Sequence, residues 1–113
     1  VKAMETVYTL PQIDTLKNEN EMMLVYFSSE SCGVCKSILP RLLMLLLKYP
    51  HVKAVRAELS DAPELAAACG IFTVPALILF VMGKESLREA GFISLAELEQ
   101  ALSKYSDLLF QRP

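Results

Sequence analysis

Two uninterrupted apolar runs, Met22 to Phe27 and Ala76 to Met82, restrict the folds open to this chain. Runs this short are the pattern of strands covered on both faces. Such strands need neighbours on either side in a sheet and helices above and below it. The rest of the chain supplies these elements in order. Thr6 to Tyr8 reads as a short strand. Thr9 and Gln12 have the spacing of a capping box, with Pro11 tolerated in the first turn of a short helix. After Met22–Phe27, the polar Ser28 to Ser31 leads to a helix from near Cys32 to about Lys48, stopped by Pro50. Val52 to Leu59 alternates as a strand, and Asp61 with Glu64 caps an Ala-rich helix that Gly70 ends. Met82-Gly83-Lys84-Glu85 turns the chain after the second buried run, and Ser86 to Phe92 returns as an edge strand. Ser94 and Glu97 form a second capping box, opening a helix with apolar Leu95, Leu98, Leu102 and Tyr105. Asp107 to Pro113 either extends that helix or frays. The expected fold is α/β, in the order β-α-β-α-β-α-β-β-α. It is a mixed sheet flanked by helices, with residues 1–113 as one domain.

Composition narrows the function. A hydrophobic share of 53% is enough for a core without staples. A formal charge of −2, with no basic run, argues against nucleic acid or an anionic membrane as partner. No apolar run approaches the roughly 18 residues of a transmembrane helix. Val1-Lys2-Ala3-Met4-Glu5 has no apolar core, so no secretory signal is expected and the expected compartment is the cytoplasm. Three cysteines are too few for a disulfide framework.

The chemistry-bearing motif is Cys32-Gly33-Val34-Cys35-Lys36, which follows a buried strand and opens a helix. The thiolate is the reactive form of cysteine, and a free thiol with pKa ~8.5 supplies little of it at neutral pH. Unpaired N–H groups and the positive dipole end of a helix N-terminus favour the anion. Cys32 at the helix mouth is therefore expected to be the nucleophile. Cys35, one turn in and followed by Ile38 and Leu39, is expected to be shielded and to act second. Gly33 is expected to let the two sulfurs approach. The cycle needs no cofactor: Cys32 attacks a substrate disulfide, and Cys35 then attacks Cys32 and releases reduced substrate. Turnover needs an external reductant, either a reductase or a small thiol.

The chain resembles the thioredoxin family along nearly its whole length. The resemblance rests on Ser28-Ser29-Glu30-Ser31-Cys32-Gly33-Val34-Cys35-Lys36, on Pro40, on Gly70-Ile71-Phe72-Thr73-Val74-Pro75, and on Gly83 and Gly91. It implies the thioredoxin fold and a thiol–disulfide oxidoreductase that reduces protein disulfides. It also implies a cis Val74–Pro75 bond beside the cysteines, with the Val74 backbone pairing with substrate chain, and a kink at Pro40. Disulfide-containing proteins are the implied substrates, and the chain is expected to act as a monomer. Three positions depart from the family pattern. Ser31 stands in place of a tryptophan, Val34 in place of a proline, and Tyr26 in place of a buried aspartate that assists the second cysteine; Arg56 falls near a partner lysine. Because valine keeps the N–H that proline lacks, Val34 is expected to offer a further donor to the Cys32 sulfur.

Other readings compete with these. Cys32 and Cys35 could be an inert pair or half of a zinc site, but zinc would need His51 and Cys69 from separate elements, at no recognised spacing. No metal site is therefore expected. Cys69 reads as a packed small hydrophobe, alternatively as a regulatory or dimerising thiol. His51, Lys36 and Glu30 read as solvated. Leu42 to Leu47 is either a helix packed on two sides or an apolar partner surface. Against the enzyme stands a non-catalytic module of the same fold, holding a protein partner in the Val74–Pro75 groove.

Overall fold

The computed structural model describes residues 4–110. Residues 1–3 and 111–113 lie outside that range. The start of the chain read for a secretory signal, and the end of the segment expected to extend or fray the last helix, lie there. The described elements are β1 (Glu5–Thr6), α1 (Leu10–Glu19), β2 (Met22–Ser28), α2 (Gly33–Leu46), β3 (Lys53–Glu58), α3 (Pro63–Ala68), β4 (Ala76–Val81), β5 (Lys84–Ala90) and α4 (Leu95–Phe110). They reproduce the expected order. The five strands form one mixed sheet in the order β1-β3-β2-β4-β5. β3 pairs parallel with β1 and β2, while β4 pairs antiparallel with β2 and β5.

Alternation along β2 divides the core. Met23, Val25 and Phe27 face Ile13 of α1 and Leu65 and Ala66 of α3. Met22, Leu24 and Tyr26 face Ile38, Leu42 and Leu45 of α2 and Leu98 and Leu102 of α4. Both apolar runs are buried along their strands, as two covered faces require. α2 continues through Pro40, which removes one N–H from its ladder, with Ile38, Leu42 and Leu45 packed in the core on either side of it. The leucine-rich stretch divides: Leu42 and Leu45 are buried, whereas Met44 and Leu47 are exposed.

Several boundaries differ from expectation for local reasons. β1 ends at Thr6 because the Tyr8 and Thr9 amides both turn to the Gln12 side chain, closing the expected box with Thr9. Asp61 does not cap α3: the Asp61 and Ala62 amides bind the Glu58 carbonyl, and the helix starts at Pro63 behind an Ala62 cap with no side-chain bond. The β4–β5 turn needs only Met82 and Gly83, with φ of 53° and 79°, so β5 begins two residues earlier than expected. It ends at Ala90, where Gly91 takes a φ of 84°. Ser94 accepts from the Glu97 amide, but its own amide donates to Glu89 rather than to Glu97. Burial raises the Glu89 carboxyl above its ordinary value, the Ser94 amide opposing the shift and Glu97 adding to it. His51 is exposed yet not merely solvated: Nε2 lies 2.7 Å from Ser106 Oγ and the ring packs on Phe110.

Two successive positive φ angles are those of a turn that prefers Asn-Gly. Met82 is exposed and gains nothing from that backbone. Met82→Asn is therefore expected to stabilise the fold by up to about 1 kcal/mol, read as a higher urea midpoint at unchanged slope.

Candidate functional site

The parallel β2–β3 pair and the antiparallel β4 bring three chain segments to one end of the sheet. Ser28 at the end of β2 pairs with Glu58 at the end of β3, while Phe27 pairs with Ala76 at the start of β4. Beyond Ser28 the chain turns through a Cys32 N–H bond to the Ser29 carbonyl, and α2 begins. Cys32 is its N-cap residue, and its sulfur accepts from the Cys35 amide at 3.1 Å. The two cysteines are joined as a disulfide, with Cα atoms 5.3 Å apart. Cys32 is half-buried and Cys35 only 1% exposed.

Two details of the loop differ from expectation. The N–H that reaches the Cys32 sulfur belongs to Cys35, one turn into the helix, and not to Val34, whose side chain stands in solvent. A Cβ on Gly33 would meet open space, so the close approach of the sulfurs does not depend on glycine there.

Val74–Pro75 is cis and leads directly into β4. The Pro75 carbonyl accepts from the Gly91 amide at 2.8 Å. Gly91 and Phe92 in turn line an open groove whose other wall is Gly33, Val34, Ile38 and Arg41 of α2. Cys32, Gly33, Val34, Cys35, Val74 and Pro75 thus belong to segments that leave or enter the sheet at the same end. The sequence reading gave no role to two exposed aromatic side chains: Phe72, within the Gly70–Pro75 motif, is 80% exposed, and Phe92, on the groove, is 79% exposed. Cys69 lies on α3's far end, half-buried, its thiol raised by burial and only partly lowered by Arg88 and Lys17. Among the described residues no group of three His, Cys, Asp or Glu is placed to hold a metal ion.

The thioredoxin family model matches residues 10–104, which contain both cysteines, the cis proline and every element but β1 and the last turns of α4. The chain belongs to the thioredoxin family. The thioredoxin-like protein YdfQ of Bacillus subtilis is 35% identical over 104 residues, covering 92% of this chain and 93% of its own. Thioredoxin of Chlamydia trachomatis is 33% identical over 84 residues, covering 74% of this chain and 82% of its own. In structure the fold is close to oxidised mitochondrial thioredoxin 3 of Saccharomyces cerevisiae. The TM-score is 0.80 at 23% identity, covering 89% of this chain and 94% of that one. Thioredoxin of Fasciola hepatica gives a TM-score of 0.81 at 25% identity, covering 90% and 99%.

Beneath the family's cysteine loop this chain builds its own polar layer. Tyr26, wholly buried, donates its hydroxyl to the Cys35 carbonyl at 2.8 Å and so pins the first turn of α2 to the sheet. Its phenol is pushed up to about 12, first by burial and then by the nearby Glu58 charge. Ser28 donates to Glu58 Oε1 at 2.8 Å. Glu58 Oε2 and Arg56 Nε are buried and have no hydrogen-bond partner among the described residues. Within β3, Arg56 and Glu58 share one face by the period of two, and the pairing with β2 brings them opposite Tyr26 and Ser28.

Tyr26→Phe leaves the Cys35 carbonyl without this donor and is expected to cost about 1–2 kcal/mol in urea unfolding. The unfolded chain loses the phenol proton near pH 10, whereas the folded chain keeps it to about 12. Between those values the unfolded state binds fewer protons, so stability falls as pH rises. The Phe variant is expected to lose this part of the alkaline decline, leaving a shallower stability profile across that interval.

Proposed function

We propose that this protein is a thiol–disulfide oxidoreductase that reduces protein disulfides through Cys32 and Cys35. The observation that carries the reading is the placement of Cys32 as the α2 N-cap, its sulfur held by a helix amide, with Cys35 buried one turn behind. In the reduced protein the same N–H and the dipole favour a Cys32 thiolate. That thiolate attacks one sulfur of a substrate disulfide, and the substrate's other sulfur leaves as a thiolate. Cys35 then attacks Cys32, forming the intramolecular disulfide and freeing the second substrate sulfur. Two electrons pass from the dithiol to the substrate, and an external reductant must restore them. No cofactor enters the cycle.

The groove between α2 and the Gly91–Phe92 segment, whose Gly91 amide binds the Pro75 carbonyl, is the proposed seat of the substrate chain, with the Val74 and Pro75 backbone proposed to pair with it. Gly33 and Val34 form the exposed lip beside Cys32. The protein is proposed to act as a cytoplasmic monomer; no described helix is long and apolar enough to cross a membrane. The exposed Phe72 and Phe92 favour a second reading, a module that holds a protein partner without exchange. One experiment separates the two. Cys35→Ser is expected to accumulate mixed disulfides with an oxidised protein substrate, visible on non-reducing gels and lost on addition of dithiothreitol. Cys32→Ser is expected to reduce insulin at the background rate. Binding without any mixed disulfide would favour the module.

A further inference from the structure

We propose that Glu58 is the proton acceptor for Cys35 in the second step, a role the family assigns to an aspartate that this chain lacks. The inference rests on the exchange reaction proposed above. Cys35 is almost wholly out of water, so its thiol proton has no ready path to solvent when it attacks the Cys32 mixed disulfide. An internal acceptor is required, and few groups on the surrounding elements qualify. Tyr26 uses its hydroxyl as a donor to the Cys35 carbonyl and stays protonated into strongly alkaline solution. Arg56, beside Glu58 on β3, is a permanent cation and accepts nothing. Lys36 on α2 and Asp61 in the turn after β3 are exposed.

Glu58 is different. It lies opposite Ser28 at the ends of β2 and β3, on the sheet face that carries Tyr26 beneath α2. Ser28 holds one carboxylate oxygen, which fixes the group, and the other is buried with no hydrogen-bond partner among the described residues. An unpaired buried carboxylate oxygen is costly unless the site uses it. The charge of Glu58 also acts on the Tyr26 hydroxyl, which touches Cys35.

The step balances without a further reagent. The Cys35 proton passes to Glu58, and the Cys35 sulfur pair forms the bond to Cys32. The Cys32–substrate bond breaks with its electrons on the substrate sulfur, which leaves as a thiolate. The carboxyl group later returns its proton to solvent or to the departing sulfur.

The test separates the two steps by stopped flow. Reduced protein is mixed with Ellman's reagent, and release of the first thionitrobenzoate reports attack by Cys32. Release of the second reports resolution by Cys35. Glu58→Gln is expected to leave the first phase within about twofold and to slow the second at least tenfold at pH 7. Its second phase should climb about tenfold per pH unit between pH 6 and 8, where the wild type is flatter. Glu58→Asp keeps the carboxylate one methylene back and should restore part of the rate and the flatter profile. Should the Gln variant not fold, Glu58→Asp alone decides, with a slower second phase expected. An unchanged second phase, or equal slowing of both phases, would overturn the role. A wild-type protein that releases no second equivalent would instead overturn the exchange reading itself.

Discussion

The seven residues of β2 lie out of water and are hydrogen-bonded to β3 on one side and to β4 on the other. That double pairing fixes where the strand stops, and the site depends on the stopping point. The chain turns through the three residues after the last ladder pair, and Cys32 becomes the cap of a helix rather than a member of a loop. A sulfur on a mobile loop would meet backbone amides only in passing. Here the amide of Cys35 is aimed at it, and the Tyr26 hydroxyl ties that same residue's carbonyl to the strand below. Burial of β2 supplies the rigidity; the helix end supplies the electrostatics.

The antiparallel return of β4 adds the second half of the site. Because β4 starts where β2 ends, the Val74–Pro75 segment arrives at the same end of the sheet. The β5–α4 connection joins it through Gly91, whose positive φ lets its N–H reach the Pro75 carbonyl. One wall of the resulting groove is the β5–α4 connection with the start of α4 and the other is the first turns of α2. Its chemistry is set by the few side chains that project from it, among them Phe92 and Val34.

Much of this was legible in the chain itself. The two apolar runs named the central strands, since they are short and a sheet covered on both faces buries every side chain of such a run, and the strand–C-x-x-C–helix context named the redox pair. Element ends were less legible where a side chain outside the expected motif took the amide. Glu89 took the Ser94 amide intended for Glu97, and the Glu58 carbonyl took the amides that would have let Asp61 cap α3. The polar layer under Cys35 was not legible, because its members lie thirty residues apart on paired strands. Tyr26 read as a missing aspartate, and nothing in the linear sequence placed Glu58 and Ser28 beside it. His51 likewise found its partner, Ser106, across fifty-five positions.

In the proposed function, position on α2 and not residue type makes one of three cysteines the reactive thiolate. Cys32 caps the helix, Cys35 is buried behind it, and Cys69 has a thiol raised by burial. The direct test is to treat the reduced, folded protein at pH 6 with less than one equivalent of iodoacetamide and to map the label by peptide mass. Label on Cys32 well ahead of both others is the predicted result. Label appearing first on Cys35 or Cys69 would show that the helix N-terminus does not select the nucleophile.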